Sequence, residues 1–599
     1  MTKRISPLCS GSDDSGRVVA SLEPPWFERT DSIAKMSGKP TNQARTPNSD
    51  NRGNFQKDVV YAAFANAYAS SQFHSHTNPA FVAGAFGMNS PAPTGPPCPS
   101  RVPHSIWSSD VAILTYIAVA TIVVHLFTGE RYGFHRDELA TLEDARHLAW
   151  GFVAYPPITP FFGRLSLILF GTSLTGFRFF AAVVEAIAVV LTGLMARELG
   201  GKRGAQLVAA AAALPVCLGG GSLMQYVAFD YFFWVLTAYF VVRLLRTDDP
   251  RWWLAIGASI GFGMEAKYTM GFFALAVTGA LVLTSSRRYL KSKWLWYGVA
   301  LSILVLLPNL LWQARHHFVS LAFLRYIHTR DVRQGHTKYF LLDQLRYTIF
   351  AVPLWLSGLY FYLISPKGAR FRMLGWMYVI TLALFVIAKG RGYYMLPGYP
   401  LLYAAGSVHG EQWLASMRRS TAMAIRVLAW TALSANILLV VFFFMPVSRI
   451  NSRLWNIVNV ANGDLREELG WEELTQTTAQ IRDSLTHDDR AHLGILAGNY
   501  GEAGAINLFG TRYGLPRAIS GINSFWEHGY GEPPPQTLIV IGIGRPDLDR
   551  FFASCQLAGH TGNRFGVKNE ETEDHPDIFV CRGLLQPWPQ FWKEFRYYG

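Results

Sequence analysis

From Val111 onward, apolar runs of about 15 to 23 residues recur along the chain, and this feature constrains the fold more than any other. A helix rises about 1.5 Å per residue, so such runs reach, or nearly reach, across a hydrocarbon layer roughly 30 Å thick. About eleven lie near 110–128, 177–199, 204–221, 223–245, 252–266, 268–285, 294–313, 344–364, 371–388, 393–409 and 425–445, the fifth, sixth and tenth being the weakest. The sequence predicts an α-helical polytopic membrane protein. Composition agrees: 50% of the residues are hydrophobic and 16% charged, against about 25% charged in a soluble domain, which excludes an ordinary soluble enzyme.

The net charge is +13, yet no Lys/Arg-rich run of the nucleic-acid-binding kind occurs, so the excess is read by position. Alternate connectors carry Arg197, Lys202 and Arg203; Arg243, Arg246 and Arg251; Arg287, Arg288, Lys291 and Lys293; Lys367, Arg370 and Arg372; then Arg418 and Arg419. By the inside bias of basic residues, these five face the cytoplasm. Residues 129–176, the 314–343 loop, the 389–392 turn and everything after Pro446 then lie on the other side, in the orientation of a bacterial inner membrane protein.

Three regions follow. Residues 1–105, rich in Ser, Pro, Asn, Gly and Thr, lack a sustained apolar period and are expected to be a disordered cytoplasmic leader, with Met88 as an alternative start. They carry no signal-peptide pattern. Residues 106–445 form the transmembrane region. Residues 446–599 contain strand-like runs at 493–497, 537–542 and 577–580 with helix-like stretches between, which predicts a small extracytoplasmic α/β domain. Five cysteines show no metal or redox spacing. Cys555 and Cys581, in that outer domain, are either a disulfide joining the amphipathic DRFFAS stretch to a strand or two buried thiols; Cys9, Cys98 and Cys217 are expected to stay reduced.

The chemistry-bearing residues concentrate on the outer side. In 129–176, Leu139, Leu142, Ala145 and Ala149 recur at helical spacing and 158–170 is also amphipathic, which predicts two interfacial helices with Pro156-Pro157 as a rigid corner. The acidic pair Asp137-Glu138 follows the first span. Asp137 suits an N-cap for a helix beginning at Glu138. It equally suits a general base that takes a proton from an acceptor hydroxyl at the membrane surface. Glu185, Asp230, Glu265 and Lys267 interrupt apolar runs, where an ionisable group costs about 2.5–3.5 kcal/mol and calls for an explanation. Lys267 and the basic, glycine-bearing turn Lys389-Gly390-Arg391-Gly392-Tyr393-Tyr394 break the inside bias and fit an anion such as phosphate; a local ion pair and snorkelling to headgroups are the competing readings. The histidines of 314–343 (His316, His317, His328, His336) have unspecific spacing, so no metal ligand set is assigned, no cofactor is required, and dependence on a divalent ion is left open.

The segments FHRDELATLEDARHLAWGFVAYPPITPFFGRLS, FRFFAAVVEAIAVVLTGLMARELGG, VAFDYFFW, EAKYTMGFF, PNLLWQARHHF, KGRGYYMLPGYP and NYGEAGAINLFGTRYGLPRAISGINSFW, in this order over roughly 110–599, resemble the bacterial membrane glycosyltransferases related to protein O-mannosyltransferases and to the lipid A aminoarabinose transferase. The resemblance implies a GT-C fold, a sugar donor carried on polyprenyl phosphate, and catalysis by Asp137 with Glu138 beside it; in the mechanism expected here Lys267 and Arg391, with Arg136, neutralise the donor phosphate, Asp230 orients the sugar or a cation, and Tyr394 lines the cavity. One departure stands out: relatives usually carry Asp-His or Glu-Lys before the Pro-Pro, where this chain has Ala154-Tyr155. The function expected is inverting transfer of one hexose or pentose to an extracytoplasmic protein, lipid or envelope glycan. A lipid or sugar transporter, and a catalytically altered relative, are the alternatives; a transporter commonly shows two related halves, and none is visible.

Overall fold

A computed structural model describes residues 109–599; the expected leader, Cys9 and Cys98 lie outside the described residues. Each apolar run falls on a helix, from Asp110–Thr128 and Leu174–Glu198 to Tyr399–Ala415 and Arg419–Phe444. Length and apolarity qualify seven of the described helices to cross a membrane, or eight if the bent pair Met270–Leu283 and Ser285–Lys291 is one span. Expected spans five, eight and ten are shorter: Trp252–Met264 has 13 residues, Val352–Leu363 has 12 and Tyr399–Ala415 has 17. They are held instead by close packing, Gly257 and Gly298 meeting backbone to backbone where Trp252–Met264 crosses Lys293–Arg315. The class is nonetheless the one expected, a polytopic helical protein with a small C-terminal sheet domain.

The basic connectors gather at one end of the bundle. Glu198 is bound there by Arg243 and Arg246, Asp248 by Arg288, and Lys367 reaches Gln412. The other end receives the first connector, which forms two helices as expected, Arg136–Arg146 and Ile158–Phe170. The second exposes Phe161, Ile168, Leu169 and Phe170, a face suited to the membrane boundary. The first does not lie on a membrane surface: Leu139, Leu142 and Ala145 are wholly buried, Leu139 packed against Gly504 of the tail and Ala145 against Gly163 of the Ile158–Phe170 helix. The 314–343 connector is helical as well, over Val319–Gln334.

The tail carries a five-stranded sheet in the order β2-β1-β3-β5-β4, with β1 Leu493–Ala497, β2 Ala518–Ile519, β3 Thr537–Ile541, β4 Phe552–His560 and β5 Asp577–Leu584. Strands β1, β2 and β3 are parallel; β5 and β4 extend the sheet antiparallel. The three expected strands are present. The stretch expected to end a helix at Cys555 is strand β4, so the Cys555–Cys581 disulfide joins directly opposed residues of two antiparallel strands rather than a helix to a sheet. Cys217 is a buried free thiol.

Candidate active site

Asp137 is the second residue of the Arg136–Arg146 helix, and the N-cap is His135, whose ring accepts from the Asp137 amide at 3.2 Å. The Asp137 carboxylate is therefore not engaged as a cap. Its Oδ2 accepts from Gln225 Nε2 at 2.9 Å and its Oδ1 from Tyr500 Oη at 2.9 Å, while the side chain remains 41% exposed. One donor comes from a connector of the membrane bundle and the other from the tail. The carboxylate opens into a cavity of about 1720 Å³ bounded by both.

Glu138 does something else. Its Oε2 accepts from the His135 amide, completing a capping box, and both oxygens are gripped by Arg178 at 2.8 and 2.6 Å, with the Met224 amide at 2.8 Å on Oε1. Wholly buried and absent from the cavity wall, Glu138 is a structural anchor, which corrects its expected place beside the base. Arg178 also donates to the carbonyls of Gly129 and Gly133 and reaches Glu468 of the tail at 3.3 Å.

Lys267 lines the cavity with its ammonium 4.4 Å from the ring centre of Tyr394, 5.2 Å from Tyr226 and 5.3 Å from Tyr393. Three aromatic faces hold the charge in place. Asp230 lies 3.8 Å behind it, bonded to Trp234 Nε1 and Thr269 Oγ1, and does not reach the cavity. Its expected contact with a sugar or cation is thereby corrected to support of Lys267. Arg391 reaches the cavity but spends its fork on Asp331, at 2.5 and 2.6 Å, which ties the 389–392 turn to the Val319–Gln334 helix. Arg136 likewise is committed to Glu570 and Glu571 of the tail. Among the expected phosphate cations, Lys267 is the one least neutralised.

Ala154-Tyr155 is not a gap. Tyr155 donates to Asp144 Oδ2 at 2.6 Å and packs on Tyr226 with ring centres 5.6 Å apart. Burial pushes the Asp144 carboxyl up to about 8, so near neutrality Tyr155 faces a largely protonated acid. Asp137, Thr141 and Asp144 form one face of the helix along the cavity.

The histidines of 314–343 do not assemble into a metal cluster among the described residues. A group they do not contribute to, Glu143, His147 and His528, has ligand atoms within 4.8 Å of one another. Arg517 already donates to both Glu143 and His147, and burial together with His147 and Arg517 holds His528 down at about 4. Sequence reading missed Gln225, Tyr500, Arg178 and Asp331, all of which act through partners distant in the chain. Only Tyr500 carried a signal, the Asn-x-x-Glu capping box of Asn499 and Glu502 that aims it.

Residues 154–312 match the family of dolichyl-phosphate-mannose-protein mannosyltransferases, which bears out the resemblance read from the sequence. No curated protein sequence matches the chain. Among solved structures, ArnT from Cupriavidus metallidurans bound to undecaprenyl phosphate is 14% identical, covering 79% of this chain and 98% of that one, with a TM-score of 0.47. The Saccharomyces cerevisiae protein O-mannosyltransferase Pmt1-Pmt2 complex bound to the sugar donor is 19% identical over 36% of this chain and 35% of that one, with a TM-score of 0.28.

Proposed function

We propose that this multi-pass membrane protein is an inverting glycosyltransferase that moves one sugar from a polyprenyl-phosphate donor to an acceptor hydroxyl on the outer side of a bacterial inner membrane. The observation that carries the reading is Asp137: a half-exposed carboxylate fixed by two neutral donors in a cavity whose membrane-side wall holds the caged Lys267. Asp137 takes the acceptor proton as the acceptor oxygen bonds to the anomeric carbon. The bond from that carbon to the phosphate oxygen breaks on the opposite face, and polyprenyl phosphate leaves without needing a proton. Lys267 offsets the charge that develops on it. Neither nucleotide nor redox cofactor enters this scheme.

The test is single-turnover transfer by the purified protein in vesicles, with undecaprenyl-phosphate-linked radiolabelled mannose, arabinose or aminoarabinose and an envelope fraction as acceptor. Release of undecaprenyl phosphate matched by label in the acceptor is expected. Label crossing the bilayer with its lipid linkage intact would establish the transporter instead, and tight donor binding without turnover the altered relative.

A further inference from the structure

The two walls of the cavity differ in chemistry. On the membrane side stand Lys267, Arg330, Arg333, Lys389 and Arg391 with the carboxylate of Asp331, while the Arg136–Arg146 helix between the walls brings Arg136, Asp137 and Asp144. The tail contributes no Lys or Arg to its wall; it brings Asn499, Tyr500, Ser524, Phe525, Tyr597 and Tyr598, with the exposed acids Glu570 and Asp574 at the rim. Resting on the reading of Asp137 as the base, we infer that the tail wall is the acceptor subsite and that the acceptor is a neutral saccharide.

The wall is built at the carboxyl ends of β1 and β3, neighbouring parallel strands whose following loops bring Gly498, Asn499 and Gly542 to the cavity. Ligands of open α/β sheets bind in that position. Gly542 holds φ +72°, and a Cβ there would strike the Glu502 carboxylate, so the loop stays close and bare. Asn499 uses its oxygen to cap the Tyr500–Phe509 helix, and its amide Nδ2 makes no hydrogen bond among the described residues, which leaves two N–H donors at the cavity. Tyr598 is buried, packed against Phe323 and Tyr326 at 6.0 Å each, and its hydroxyl has no partner among the described residues. Both are polar groups left over by the fold, on a wall that also carries the rings of Tyr500, Phe525 and Tyr597.

A saccharide supplies what these groups lack. Its C–H faces pack on aromatic rings and its hydroxyls both give and accept hydrogen bonds. An anionic acceptor would meet Asp137 and Asp574, and Arg136, the cation that lines the cavity beside them, is already bound to Glu570 and Glu571. One way an extended peptide acceptor binds is by pairing with an open sheet edge; here the cavity is lined by the loops that follow β1, β2 and β3 and by no residue of the edge strands β2 and β4 themselves.

The experiment is saturation-transfer NMR on the full-length protein in detergent with three probe sets: neutral hexasaccharides of gluco, galacto and manno configuration, a blocked Ser/Thr hexapeptide, and a glucosamine disaccharide bisphosphate. Undecaprenyl phosphate binding is measured on the same samples. At least one neutral hexasaccharide is expected to bind, more tightly than the other two sets. Asn499→Asp, which keeps the helix cap and removes the amide donors, and Tyr598→Phe, which keeps the ring, should each weaken it about three- to tenfold with undecaprenyl phosphate binding unchanged. Binding by no hexasaccharide, preference for the peptide or the bisphosphate, or indifference to both substitutions overturns the inference. Loss of undecaprenyl phosphate binding in the unmodified protein would instead count against the donor assignment, separately from the acceptor result.

Discussion

Replacing Asp137 by Asn tests the base with little disturbance of anything else. The carboxylate accepts two hydrogen bonds, from Gln225 and Tyr500. An amide oxygen can keep one of them, while the amide nitrogen faces the other donor. The loss is one hydrogen bond at a partly exposed site, about 1 kcal/mol, so the variant should fold and insert, with a melting temperature within a few degrees of the parent. Undecaprenyl phosphate binding should hold within about twofold, because Lys267 is held by Asp230 and the tyrosines rather than by Asp137. Catalysis is another matter: a positioned general base contributes about 10²- to 10⁴-fold, which sets the expected fall in single-turnover transfer. The assay is label transfer at saturating donor, alongside donor binding and thermal unfolding. Transfer within tenfold of the parent, with folding and donor binding intact, would refute the assignment.

Glu138→Gln should fail in a different way: it leaves the buried Arg178 with only the longer contact to Glu468 as a charge partner, a loss of up to about 3–5 kcal/mol, so folded yield and melting temperature drop before any rate does; normal stability would count against the anchor role. Lys267→Ala should weaken undecaprenyl phosphate binding by about 1.5–3 kcal/mol, more than Arg391→Ala, whose guanidinium is already spent on Asp331; the reverse order in a binding assay would return the phosphate to Arg391. Asp144, raised to about 8 from an ordinary 3.8, holds its proton in the folded state, so its contribution to stability is lost as pH rises from about 4 to about 8, by up to about 1.4 kcal/mol per unit. Asp144→Asn should therefore flatten the melting-temperature profile between pH 5 and 8, and parallel profiles would contradict the burial argument. Thiol labelling of the denatured protein should find three reactive cysteines before reduction and five after, given the Cys555–Cys581 bond.

What the sequence disclosed depended on how local the cause was. The apolar runs, the Asp-Glu pair after the first span and the three strongest strands are set by residues within one helix or strand, and they were legible. Glu138 was misplaced because its role is decided by Arg178, forty residues on and on another helix. Asp230 and Lys267 were recognised as a costly pair in an apolar run, but which of them faces the cavity depends on the tyrosines of 226 and 393–394 that close around the ammonium. Cys555 misled in secondary structure: residues 549–551 of the DRFFAS stretch do end a helix, Arg545–Phe551, but from Phe552 on β4 pairs antiparallel with β5, and that pairing overrides the local preference.

The placement of Asp137 depends equally on the membrane bundle and on the tail. The helix that carries it is bound from below by Glu138 and Arg178, anchored in the Leu174–Glu198 span. From above, Arg136 reaches Glu570 and Glu571, Leu139 meets Gly504, and Tyr500 donates to the carboxylate itself. Removing the tail would strip one of the two donors that orient Asp137 and leave Arg136 without its carboxylates. It would also uncover Leu139, an apolar side chain now wholly buried against Gly504 of the tail. A helix of 11 residues is too short to hold its form on propensity alone. Beyond the acceptor wall proposed for it, the tail completes the packing that gives the Asp137 carboxylate a fixed direction, which is what a general base requires and what the spans by themselves do not supply.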